Sequence, residues 1–259
     1  MNFLQEYRYK IRKSISNGFH FIASIFSGGF LMNKKVLVVV TNVSKYSNVN
    51  RATGLWLGEA VHFVEVMENN GFEVTYVSPL GGYTPIDPHS IEPEMMSDLD
   101  WKFYTDRKFM NALGTTVPAK DINYNDYSII YYTGGHGVIW DFPNDKKLQE
   151  IAIGIWNNGG IVSAVCHGLA GLLNIKDSSG EYLIKDKKVT GFSDSEEKEV
   201  QLDKLVPYLT EDELVKRGAK YSKTDNWGEY AVADGRLVTG QNPASGAAVA
   251  REILKVLQK

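Results

Sequence analysis

The sequence predicts an α/β fold: a mostly parallel sheet covered by helices on both faces. Three observations predict it. Short apolar runs recur along the chain, amphipathic helical segments separate them, and glycine or proline punctuates the joins. "KVLVVVT" (35–41) is a continuous valine-rich run, as a strand buried on both faces requires. "GLWLGEAVHFVEVMENNG" (54–71) has helical spacing, with Val61 and Val64 set apart from Glu65 and Glu68 and with Gly71 as a stop. "FEVTYVS" (72–78), "YSIIYYTGG" (127–135) and "GIVSAV" (160–165) supply three more strands. Between the last two, "PNDKKLQEIAIGIWNNGG" (143–160) reads as a helix with Pro143 near its start. A further helix is expected from about Gly168, then a short strand near "KKVTGF" and a helical run "EEKEVQLDKLVPYLTEDELVKRG". "YAVADGRLVTG" (230–240) reads as a hairpin around Asp234-Gly235, and "NPASGAAVAREILKVLQ" (242–258) as a closing helix entered through Asn242 and Pro243. Residues 81–114 are too long for a simple crossover and read as a small insertion beside the carboxyl ends of the strands.

Composition sets the outer bounds. The 259 residues are 43% hydrophobic and 23% charged, as in an ordinary globular chain. A net charge of −3 leaves no basic excess for nucleic acid. One cysteine cannot close an internal disulfide, which points to a reducing, cytoplasmic setting, and it excludes a multi-cysteine metal site. The five histidines show no metal-ligand spacing, so no metal is expected. Residues 1–32 differ from the rest: a basic stretch, +3 overall, precedes an apolar one broken by "SGG". No small-residue cleavage site follows, and the apolar run is short for a membrane span. The simplest reading is a dispensable extension before one domain at 33–259; a helix lying on a membrane surface is the alternative.

The sole cysteine, Cys166, follows the fourth strand at the sheet edge where open parallel sheets place their sites. "AVCHG" sets Ala164 and Gly168 two residues either side of it, as a sharp strand-to-helix elbow requires. At such an elbow the thiol leaves the sheet, the next backbone N–H faces a developing oxyanion, and a helix N-terminus favours thiolate. The ordinary alternative is an inert, buried thiol. A second strand ends in Gly134-Gly135-His136-Gly137, whose backbone could approach a substrate closely. Glu59, in "GLWLGEAVH", is either exposed on the first turn of its helix or buried with a raised pKa; only the second state suits proton transfer.

"GLWLGEAVHF", "GGHG", "AVCHG", "TGFSDSEE" and "DGRLVTGQNPAS", in that order, resemble the ThiJ/PfpI superfamily, a branch of the class I glutamine amidotransferase-like fold. Within it the chain is most similar to the glutathione-independent glyoxalase III branch, which includes heat-shock chaperones. The resemblance covers about Lys34 to the end. It implies a flavodoxin-like three-layer sandwich, a homodimer, and cofactor-free conversion of methylglyoxal, a 2-oxoaldehyde, to D-lactate. It also implies roles: Cys166 as nucleophile, His167 as its triad histidine, Glu59 as proton shuttle, and Gly135 with His167 as oxyanion hole. His136 falls in the substrate pocket. Spacing from Thr190 puts the triad acid at Glu197, with Asp194 and Glu196 close enough to compete.

Rival functions divide by residues. A glutamine amidotransferase or papain-like protease needs a histidine far downstream of the cysteine, but His167 is the last in the chain. A caspase-like layout wants its histidine about 50 residues before the cysteine, and His136 is nearer. Protein deglycase or peptidase chemistry at the same cysteine survives. So does a holding chaperone that binds unfolded clients through insertion aromatics such as Trp101, Phe103 and Tyr104. Oxidation sensing by the thiol is a lesser option.

Overall fold

The computed structural model describes residues 33–258. The expectations for residues 1–32 fall outside them. The elements run β1 (Lys35–Val39), α1 (Leu57–Asn69), β2 (Glu73–Ser78), α2 (Asp98–Tyr104), α3 (Arg107–Gly114), β3 (Val117–Pro118), β4 (Ile129–Tyr132) and α4 (Val138–Asp141). They continue with α5 (Lys146–Asn157), β5 (Ile161–Val165), β6 (Lys188–Val189), α6 (Asp194–Glu199), α7 (Thr210–Lys216), β7 (Lys220–Tyr221), β8 (Ala231–Asp234), β9 (Leu237–Gly240) and α8 (Gly246–Leu257).

The main sheet has the order β3-β2-β1-β4-β5-β9-β8, parallel except for the β8–β9 hairpin at one edge. β1 lies between β2 and β4 with Val36 opposite both Val74 and Ile129, so chain direction across the sheet reverses beside β1. Alternation along β1 sends Val36 and Val38 to one face and Leu37 and Val39 to the other, and all four are fully buried. The first face packs on α1, α8 and the insertion through residues such as Phe63, Val249 and Phe103. The second packs on α5 and the 3-10 segment after β5 through Ile151, Ile155 and Leu172. The three-layer sandwich expected from the sequence is the one observed.

Some local readings change. The segment after β5 is a 3-10 helix, Cys166–Leu172, which begins at the cysteine itself and not near Gly168. The long helical run after it is two short helices, α6 and α7, separated by irregular chain. Asp145 caps α5, so Pro143 lies before the helix. The hairpin pairs Asp234 with Leu237, which leaves Gly235 and Arg236 as its turn. β3 and the small β6–β7 pair have two residues per strand; the periodicity of "TTVPAK" is too short to reveal β3. In the insertion Trp101 is exposed, as the aromatic-patch reading requires, but Phe103 is buried in the core. Among the described residues no helix is long and apolar enough to cross a membrane.

Candidate active site

The site lies beyond the carboxyl ends of β1, β4 and β5. Cys166 adopts φ +56°, the left-handed region that costs an ordinary residue about 1–2 kcal/mol. That turn lifts the side chain off the sheet line. The elbow has the crowding the sequence predicts: a Cβ on Gly168 would meet the Tyr132 carbonyl oxygen at 2.4 Å. Across the site Gly135 has φ +97°, and a Cβ there would fall 2.2 Å from the Gly54 carbonyl oxygen.

Glu59 is fully buried in the first turn of α1. The helix is held for it from below. Phe63 stacks on Tyr131 of β4 with centroids 3.6 Å apart, and the Tyr131 hydroxyl donates to the Glu59 carbonyl at 2.9 Å. The Gly134 N–H donates to Glu59 Oε2 at 2.6 Å. Oε1 has no conventional partner among the described residues, and the Cys166 thiol interacts with the carboxyl. Burial pushes the Glu59 carboxyl up to about 8, against the smaller downward pull of the thiol and of Gly134. The open choice for this residue therefore resolves to the buried state.

Burial also pushes the Cys166 thiol up, and the Glu59 carboxyl beside it pushes the same way. The His167 backbone N–H pulls down more weakly. The expected thiolate at a helix N-terminus is thus corrected. A short 3-10 segment in a dry site does not outweigh the desolvation of sulfur. Burial disfavours the charged form of both groups, so attack by sulfur needs a base to take the thiol proton.

His167 is placed to do so. Its Nδ1 lies 3.5 Å from Cys166 Sγ, and its Nε2 is 2.7 Å from Glu197 Oε2. Glu197 Oε1 meets His136 Nε2, also at 2.7 Å. Burial alone would raise Glu197, but the two imidazoles hold it well below the usual carboxylate range. An ionised Glu197 accepts a proton-bearing Nε2 from each ring, which leaves the Nδ1 lone pair of His167 aimed at the sulfur. Burial and the neighbouring His136 lower His167 to about 4, so it is neutral near physiological pH. His136, His167 and Glu197 also form the cluster whose donor atoms, all within 4.8 Å of one another, could hold a metal ion. Ligation through both Nε2 atoms would first have to displace the protons that Glu197 now accepts.

The competing acids have other places. Asp194 sits beside Glu211, whose Oε2 accepts its backbone N–H at 2.9 Å. Glu196 is a fully buried anchor. Its Oε2 takes the Ser193 N–H at 3.0 Å, and its Oε1 takes the Trp227 N–H at 2.9 Å and the Asn242 amide at 2.8 Å. It joins the start of α6, the Trp227 loop and the approach to α8. Ser193 and Glu196 form a reciprocal capping box, which fixes α6 with Glu197 turned toward His167.

The structure therefore brings Cys166, His167, Glu59, Glu197, Gly135 and His136 to one site. Cys166, His167, Gly135 and His136 open onto a cavity of about 290 Å³ that Tyr46, Arg51, Trp56, Asp87 and Trp227 also line, with Glu59 and Glu197 buried behind them. Sequence reasoning did not single out these five, because they come from loops and the insertion and carry no spacing of their own.

Comparison with known proteins shows the family and the fold. Glyoxalase 3 of Candida albicans is 36% identical over 234 residues, covering 86% of this chain and 98% of that protein. Glutathione-independent glyoxalase HSP31 of Saccharomyces cerevisiae is 36% identical over 235 residues, covering 87% and 98%. The crystal structure of Rapid Encystment Protein 24 KDa from Francisella tularensis superposes with a TM-score of 0.83 at 39% identity, covering 86% and 98%. The model of the DJ-1/PfpI family matches residues 52–256. With its elbow cysteine on a shared sandwich, this chain belongs to the DJ-1/PfpI family.

Proposed function

We propose that this chain is a glutathione-independent glyoxalase, converting methylglyoxal to D-lactate through a covalent adduct on Cys166. The observation that carries the reading is the orientation of His167, whose free Nδ1 faces the thiol because Glu197 accepts the proton on Nε2. The names of the relatives at 36% identity support the same activity.

The chemistry follows from the protonation states. As sulfur bonds to the aldehyde carbon, His167 Nδ1 takes the thiol proton. Backbone N–H groups of Gly135 and His167 face the oxyanion. Protonated Glu59 gives its proton to that oxygen, forming the hemithioacetal. Its carboxylate, poised near 8, then removes the hydrogen from the same carbon, which the adjacent ketone has made acidic. Protonated His167, an unusually strong imidazolium acid, returns a proton to the neighbouring carbon. Transfer of the hydroxyl proton between the two oxygens completes the thioester of the 2-hydroxy acid. Water cleaves it, releasing lactate and the thiol. The aldehyde carbon is oxidised and the ketone carbon reduced within one molecule, so no external electron carrier takes part.

The test is D-lactate formation from methylglyoxal by wild type and by Cys166→Ala. Wild type forms it and the variant does not; D-lactate production retained by the variant refutes the covalent route.

A further inference from the structure

We propose that this site is built for 2-oxoaldehydes carrying a bulky apolar group, branched or ring-bearing, and that methylglyoxal underfills it. The proposal rests on the Cys166 chemistry above and concerns what is attached to the ketone carbon.

Size is the first argument. The cavity holds about 290 Å³. A cavity of about 150 Å³ accommodates benzene, and methylglyoxal has fewer non-hydrogen atoms than benzene. A methyl substituent on the reacting unit leaves most of the cavity unfilled.

Lining is the second. Beyond the reacting groups the walls are Trp56, Met95, Phe192, Val200, Leu202 and Trp227. These walls are braced by packing. Phe192 lies 4.3 Å from the His167 ring and 5.7 Å from Trp227, and the backbone of Trp227 is tied to buried Glu196. A braced hydrocarbon wall cannot close around a small substrate.

The polar groups of the cavity are the third. Three of them, Arg51, Asp87 and His89, are committed to one another. Asp87 takes the Thr53 hydroxyl at 2.9 Å on one oxygen, and the His89 N–H and ring Nδ1 on the other at 3.0 and 3.1 Å. With Nδ1 donating, His89 Nε2 accepts from Arg51 Nη2 at 3.1 Å. A polyhydroxylated substituent would have to break that chain to use those three groups, with the exposed Glu92 as the remaining charged partner, whereas a hydrocarbon one need only displace water. The reaction is otherwise the same. The S–C bond forms and is later hydrolysed, one hydrogen moves from the aldehyde carbon to the ketone carbon, and the product is the matching 2-hydroxy acid.

The experiment compares kcat/KM for methylglyoxal, isobutylglyoxal and a hexose-derived polyhydroxylated 2-oxoaldehyde, with the 2-hydroxy acids separated by chiral chromatography. Isobutylglyoxal is expected to exceed methylglyoxal by at least about tenfold, the lower value for one methylene in an apolar pocket and so a floor for three added carbons. The hydroxylated compound is expected not to exceed methylglyoxal. Val200→Phe and Met95→Phe, each checked for native circular dichroism, narrow the cavity from two elements and should lower the isobutyl-to-methyl ratio about fivefold or more. If one variant does not fold, the other decides. Turnover of methylglyoxal with no gain for isobutylglyoxal overturns the inference and leaves the glyoxalase reading standing. An equal gain for the hydroxylated compound overturns it too, as selection by size alone. An unchanged ratio in the folded variants does the same. Absence of turnover with all three overturns the glyoxalase reading, and the inference with it.

Discussion

Glu59→Gln separates what the buried carboxyl costs the fold from what it contributes to turnover. Burial raises this group from 4.5 to about 8. Across that interval the folded protein keeps a proton that the unfolded chain has released. Stability therefore falls as pH rises from the ordinary carboxyl value to the folded one. Integrated from about pH 5 to about pH 8, the penalty grows by about 3 to 4 kcal/mol. Glutamine has the shape of the protonated acid, still accepts the Gly134 N–H, and does not titrate. The variant should match wild type within about 1 kcal/mol near pH 5 and exceed it by about 3 to 4 kcal/mol near pH 8. Urea unfolding at a series of pH values measures this, provided the slopes agree. D-lactate formation should be lost at every pH. A stability difference that does not change with pH would show that the carboxyl ionises normally in the fold, and the proposed proton shuttle would go with it.

Three further predictions follow from the same groups. In wild type, kcat/KM should fall below about pH 4 as His167 protonates and above about pH 8 as Glu59 loses its proton; an acid limb at the ordinary imidazole value would contradict the tautomer argument. Glu197→Gln gives one imidazole a donor in place of an acceptor, so kcat should drop on the order of a thousandfold or more. Its melting temperature should fall by only a few degrees, because a neutral network can still pair; near-normal kcat refutes the role assigned to Glu197. At φ +56° glycine is unstrained and alanine is not. Cys166→Gly should therefore be more stable than Cys166→Ala by about 1 kcal/mol, and the reverse order of melting temperatures would show that the elbow carries no strain.

The parts of this molecule that could be read in advance are those where one residue type has few places to go. Continuous valine runs such as 35–41 have no use except in a strand covered on both faces, and that is where β1 lies. Small residues beside Cys166 marked the elbow, because Gly168 abuts the Tyr132 backbone. What could not be read depends on distant chain. Whether Glu59 is wet or dry is decided by Tyr131, Gly134 and Cys166, none of them near it in sequence. The thiol's environment is not legible locally, because the desolvation that opposes the helix end is set by tertiary packing. One missed signal was available. Ser193 and Glu196 have the spacing of a capping box, which commits Glu196 to its own helix start and leaves Glu197 for the histidines. The cavity wall had no such signal. Met95 and Trp227 arrive from an insertion and a loop, and their neighbours are not written in any periodicity.

Glu196 moors three segments at one point: the helix that carries Glu197, the loop that carries Trp227 and the turn leading into the last helix. Proton handling and substrate preference thereby share a hinge pin. A lineage that reshaped the cavity by shifting Trp227 would tug on the acid behind His167 and lose rate as it changed taste. Val200 and Leu202 hang on the same helix, their N–H groups on the Glu196 and Glu197 carbonyls at 3.1 Å, whereas Met95 comes from the insertion, so drift in selectivity should be written at Met95 first.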